Sequence, residues 1–193
     1  MDRTTDPVND THGGHPEEGY RAEDIPKEMK KHAGEVDTLI DLLKSRYQLD
    51  REKAADFLGE IGDPKAVPPL IGALGDPAIS WIAAASLGKL RDARAVQPLI
   101  ATLGSEEKWL RKNAATALGQ IGDTSAVKPL INLLSDRNHD VRQAAAEALG
   151  MIGANEAVGA LERLATDPDE HVRQAAAASL GQIRRKNAEI STT

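Results

Sequence analysis

Apolar residues along this chain follow a helical rhythm that breaks at regular intervals. In residues 141–152 (VRQAAAEALGMI) the apolar positions Val141, Ala145, Leu149 and Ile152 fall at i, i+4, i+8 and i+11, which marks one face of an α-helix. Gln143, Glu147 and Met151 form a second stripe at i, i+4 and i+8. A shorter apolar set (Val127, Leu130, Ile131 and Leu134) precedes it and predicts a shorter helix. Together they read as a helical hairpin.

The hairpin recurs. ALGQIGD at Ala117 to Asp123 returns as FLGEIGD, SLGKLRD, ALGMIGA and SLGQIRR. The shared leucines, Leu58, Leu87, Leu118, Leu149 and Leu180, are 29, 31, 31 and 31 residues apart. The blocks AVPPLIGAL, AVQPLIATL, AVKPLINLL and AVGALERLA follow the first four copies, and Val36 to Leu43 extends that register backwards. Neither helix can bury its apolar face alone, so the copies must stack into one continuous core. The predicted fold is all-α: a right-handed α-solenoid over 35–185, with repeats near 36–62, 63–91, 92–122, 123–153 and 154–184. Truncating a repeated leucine, as in Leu118→Ala, is expected to cost about 2–5 kcal/mol.

Local signals punctuate the hairpins. Gly62, Gly122 and Gly153 follow the last apolar residue of a helix and suit a left-handed stop. Asp63-Pro64 and Asp76-Pro77 each place a capping carboxylate before a proline at a predicted first helical position. Pro69, Pro98 and Pro129 lie inside the shorter helix and predict a kink there.

The ends of the chain differ from its middle. Residues 1–34 hold three of the five histidines, few aliphatic side chains, and scattered Pro and Gly. Such a segment buries too little apolar area to offset its ordering entropy and predicts a disordered tail, with one short helical turn at Ile25 to Lys31. Residues 186–193 predict a frayed end.

Composition narrows the function classes. The aromatic residues are Trp81, Trp109, Tyr20, Tyr47 and Phe57, while Ala, Leu and Ile abound, which favours helices packed through small side chains. A net charge of −6 argues against nucleic acid as partner, because no basic excess exists to displace counterions from phosphates. The absence of cysteine removes disulfides, thiolate metal sites and a cysteine nucleophile. No apolar leader and no run near 18 apolar residues is present, so the expectation is a soluble, cytoplasmic protein with no membrane partner.

These motifs resemble the HEAT-repeat family, and within it the phycobilin-lyase-type HEAT-like repeats. The shared pattern is a first helix ending in Asp and a second opening on Val-Arg and closing on Leu-Gly-x-Ile. It stands here as Asp136, Val141-Arg142 and Leu149-Gly150-Met151-Ile152, and again as Asp167, Val172-Arg173 and Leu180-Gly181-Gln182-Ile183. The resemblance covers residues 36 to about 184 and speaks to fold more than function. It implies a hydrogen-bonded Asp–Arg ladder between successive repeats. Arg51, Arg111, Arg142 and Arg173 keep the Arg, whereas Ser45 and Ser105 replace the Asp, and Ser80 replaces the Arg after a turn two residues short (GDPAIS). A local change of twist is expected between the first and third repeats.

Candidate chemistry is sparse. Deoxyhypusine hydroxylases resemble this pattern but carry His-Glu pairs after the Val-Arg. Here those places hold Glu52-Lys53, Trp81-Ile82, Lys112-Asn113, Gln143-Ala144 and Gln174-Ala175. Amides and alanines cannot supply an anionic metal site. His139 and His171, beside Asp140 and Glu170, could hold a metal between turns, but such residues more often start solvated helices. His12 and His15 on a loop are a weaker pair. No phosphate loop or nucleophile elbow is present. The expectation is therefore no enzyme activity, no cofactor and no metal.

A binding surface is the stronger candidate. A stack whose second helices are alanine-rich should curve toward them and put them on the concave side. Their predicted outward slots are Glu52, Lys53, Asp56 and Glu60, then Trp81, Ile82, Ala85 and Lys89, then Trp109, Lys112, Asn113, Thr116 and Gln120. The last two repeats add Gln143, Glu147 and Met151, then Gln174, Ala178 and Gln182. Both tryptophans fall on this layer, and Trp is enriched at interface hot spots. The function expected is a scaffold or adaptor gripping a protein or peptide there. The alternative, implied by the resemblance, is an accessory role on a tetrapyrrole–protein linkage.

Overall fold

A computed structural model describes residues 33–191. The predicted turn at 25–31 and most of the predicted tail lie outside the described residues. Five helical hairpins follow one another: α1 (Ala33–Leu42) with α2 (Gln48–Ile61), α3 (Val67–Ala73) with α4 (Ser80–Leu90), α5 (Val96–Thr102) with α6 (Lys108–Ile121), α7 (Val127–Leu133) with α8 (His139–Ile152), and α9 (Val158–Arg163) with α10 (Glu170–Ser191). The described residues form an α-solenoid without strands. Its core is the repeated leucine set: Leu58, Leu87, Leu118 and Leu149 are fully buried, with Leu39, Leu70, Leu99, Leu130 and Leu161 opposite them from the first helices.

The punctuation is partly as expected. Gly62, Gly122 and Gly153 adopt φ of 78°, 81° and 82° and end their helices. The second repeat ends instead on Arg91 at φ 51°, a left-handed conformation held without glycine. Asp63 accepts the Lys65 N–H at 2.8 Å and opens a 3-10 turn with Pro64. Asp76-Pro77, by contrast, opens no helix. Asp76 caps the Ala78 N–H in a turn, and α4 begins only at Ser80. Pro69, Pro98 and Pro129 do not interrupt their helices either. Each is the third residue of α3, α5 or α7, within the first turn, where the missing donor has no intrahelical acceptor to lose.

The ends also depart from expectation. α1 begins at Ala33, inside the predicted tail. α10 runs to Ser191, through the segment predicted to fray from Lys186. Lys186 donates to the Met151 carbonyl at 2.6 Å near the end of α8, and Asn187 pairs with Asn155 at 3.0 Å. These bonds tie the last turns to the preceding repeat.

Candidate binding surface on the second-helix layer

The even-numbered helices pack on one another along the whole stack, whereas the odd-numbered ones meet the next repeat mainly through its 3-10 turn. Glycine permits the close approach. A Cβ on Gly119 would lie 2.7 Å from Ala148 Cα, one on Gly59 2.6 Å from Ser86 Cβ, and one on Gly150 2.7 Å from Ser179 Cβ. The second-helix layer is therefore the tighter side of the stack.

Arginines lock the stack from its edge. Arg111 grips Asp136 of the next repeat through Nε and Nη2 at 2.7 and 2.9 Å, and its Nη1 donates to the Ser105 and Glu106 carbonyls. Arg142 repeats this with Asp167 at 2.8 and 2.8 Å. Such planar two-point pairing is strong because donor geometry matches the carboxylate. The Arg142 guanidinium holds the Asp167 carboxyl below the usual carboxylate range against the opposing effect of burial. At Asp136 burial pushes the carboxyl up, but Arg111 and the Asn138 N–H outweigh it and the net direction is down. Arg51 reaches Asp76 through Nε alone, at 2.7 Å.

Each rung thus joins the Arg of one repeat to the Asp of the next, 25 residues on. Ser80 and Ser105 are also 25 residues apart, so the rung between the second and third repeats has lost both partners together. Ser45 and Ser105 still cap the Tyr47 and Glu107 N–H groups at 3.2 Å, as the aspartates cap theirs, and Ser105 drops only the inter-repeat pair.

The predicted slots divide by exposure. Trp81, Lys89, Trp109, Glu147, Met151, Gln174 and Gln182 are exposed; Lys112, Asn113, Thr116, Gln120 and Gln143 are half-buried. Ile82 is a correction. It is only 9% exposed and belongs to the core. It stands five residues before the repeated leucine, where Ala144 and Ala175 are also buried, so this position turns inward. The slots two after the leucine also serve packing. Gln120, Met151 and Gln182 extend over Gly88, Gly119 and Gly150 of the preceding helix, and Lys89 bonds Asp56 at 2.8 Å.

Trp81 and Trp109 remain 43% and 46% exposed on adjacent second helices. Lys108 and Lys112 place their Nζ atoms 4.7 and 5.4 Å from the Trp109 ring centre. Beside Trp109 lies an open hollow of about 510 Å³, walled by Glu106, Glu107, Lys108, Arg111, Arg137 and Asn138. Leu49, 55% exposed on α2, escaped the sequence reading although a signal existed: it stands nine residues before Leu58, as Trp109 stands nine before Leu118. His139 faces Asp169 at 3.4 Å and Asp140 at 3.8 Å, while the His171 N–H donates to Asp169. Among the described residues no group of three His, Cys, Asp or Glu side chains could hold a metal, and no helix is long and apolar enough to cross a membrane.

Stacked hairpins with an Arg–Asp ladder define an α-solenoid of the HEAT and armadillo kind. The HEAT-repeat family profile matches residues 36–115 and 98–181, and the chain belongs to that family. Among solved structures, the complex of CpcE and CpcF of phycocyanin lyase from Nostoc sp. PCC7120 is similar, with a TM-score of 0.73 at 29% identity over 91% of this chain and 72% of that one. An engineered protein gives 0.62 at 25% identity, covering 79% and 81%. A designed armadillo repeat protein in complex with the peptide (KR)4 gives 0.63 at 24%, covering 78% and 82%, a likeness of fold. No curated protein sequence matches the chain.

Proposed function

We propose that this protein is a non-enzymatic scaffold or adaptor that holds a protein or peptide segment on its second-helix layer. One observation carries the reading: the chain's two tryptophans stand half-exposed on neighbouring helices of the second-helix layer. A soluble surface rarely leaves two such rings open, and large amphipathic rings anchor partners at low entropic cost. Replacing both Trp81 and Trp109 by alanine is expected to abolish partner capture while the far-UV circular dichroism stays unchanged. Capture by the double variant at wild-type affinity contradicts the reading.

A second reading is favoured by the similarity to the phycocyanin lyase complex over 91% of the chain. It is an accessory role in handling a tetrapyrrole–protein linkage. Bilin absorbance that shifts on mixing with the purified chain supports it, and an unchanged spectrum removes it.

A further inference from the structure

The proposed surface has an uneven charge account. Glu52 accepts from Gln48 at 2.7 Å, Asp56 from Lys89 at 2.8 Å, Glu147 from Gln143 at 2.8 Å and Glu170 from Gln174 at 2.9 Å. At the start of α6, Glu106 pairs with Arg137 at 2.7 Å, and the Glu107 charge acts on Arg111. Lys108 and Lys112 differ. Neither forms an ion pair with a described carboxylate; both lie over Trp109. Trp81 stands six residues before Leu87, as Lys112 stands six before Leu118. The repeat register therefore sets Trp81 beside Lys112 at one interhelical spacing, about 8–10 Å.

What this part of the layer presents to a partner is thus the open Trp81 ring and two ammonium groups gathered over Trp109. We infer that the segment held here is an extended acidic peptide in which a carboxylate lies two residues from an apolar or aromatic side chain. In an extended chain alternate side chains share one face about 7 Å apart, close to the spacing between α4 and α6. The apolar side chain covers Trp81 while the carboxylate lies between Lys108 and Lys112. A basic peptide would bring its cations against these lysines, and nucleic acid would meet a chain of net charge −6 with Glu106, Glu107 and Glu147 nearby. Both fit less well.

This inference rests on the second-helix layer being the holding surface, and one experiment separates the two. Short random peptides are panned on the full-length chain, and recovered peptides are titrated by isothermal calorimetry against wild type, K108E/K112E and W81A/W109A, with circular dichroism as folding control. The expected pool is enriched in Asp and Glu next to apolar residues. Its binding weakens about tenfold in K108E/K112E and weakens with added salt. Peptides rich in Lys or Arg, or peptides lost in W81A/W109A yet indifferent to K108E/K112E, overturn the acidic assignment and leave the surface standing. Peptides indifferent to both variants overturn both. A single-stranded oligonucleotide that displaces the acidic peptides at lower concentration makes nucleic acid the occupant and overturns the assignment.

Discussion

The joint between the second and third repeats differs from the two joints that follow it. From α6 to α8 and from α8 to α10, a two-point Arg–Asp pair closes the edge and a glycine lets the helices touch. From α4 to α6 the glycine contact survives at Gly88 against Ala117, but both members of the rung are serines. The same repeat carries the shortened turn, the αL arginine Arg91, and the buried Ser86 hydroxyl that has no partner among the described residues. Both tryptophans flank this joint. Repetition builds the rod, and the irregular joint is where the surface carries side chains that the rod does not need.

Breaking a regular rung gives the largest expected effect. Arg111→Ala leaves the largely buried Asp136 carboxylate without its ion-pair partner and with only the Asn138 N–H, and is expected to cost about 3–5 kcal/mol by urea unfolding. Arg51→Ala, which removes a one-point bond to the half-buried Asp76 and one to the Ser45 carbonyl, is expected to cost about 1–2 kcal/mol. Equal losses would deny that the rungs differ in strength. The glycine contacts come next. Gly119→Ala drives a Cβ into the backbone of Ala148 and is expected to cost about 1–3 kcal/mol. Gly72→Ala, where the added Cβ meets nothing within 4 Å, is expected to stabilise by about 0.5–1 kcal/mol.

Acid gives the smallest and most graded effect. The Asp136 and Asp167 carboxyls sit below their ordinary value in the folded chain, so the folded state binds fewer protons than the unfolded one. Their stabilisation is complete above the ordinary carboxylate value, about 4, and is lost as pH falls through the lower folded value. Thermal unfolding followed from pH 7 down to pH 2 is expected to show this loss in wild type. Arg142→Ala is expected to lose less between those limits, since Asp167 is no longer held down.

The repeat, the hairpins and the second-helix layer were legible because one leucine recurs in register and is fully buried in the first four copies, Leu180 being half-buried. Asp76-Pro77 misleads because this aspartate sits in a turn, as Asp136 and Asp167 do in their repeats, and Ile82 because its slot faces the core, as Ala144 and Ala175 do. The prolines were misjudged because a 3-10 turn before each first helix is invisible to apolar spacing, and that turn puts Pro69 in a first turn. The paired loss at Ser80 and Ser105 was readable as two substitutions, but only the geometry of Arg111 and Arg142 makes them one rung. Leu49 shares the register of Trp109, but an aliphatic side chain at a helix start does not differ in sequence from a core leucine.

The central claim is that a partner segment lies across α4 and the first half of α6. Hydrogen exchange on the intact chain, with and without a bound partner, tests it most directly. The account predicts slower exchange in Trp81 to Lys89 and in Trp109 to Ala115, with the first-helix layer unchanged. Protection confined to α3, α5 and α7, or to α10 alone, contradicts it.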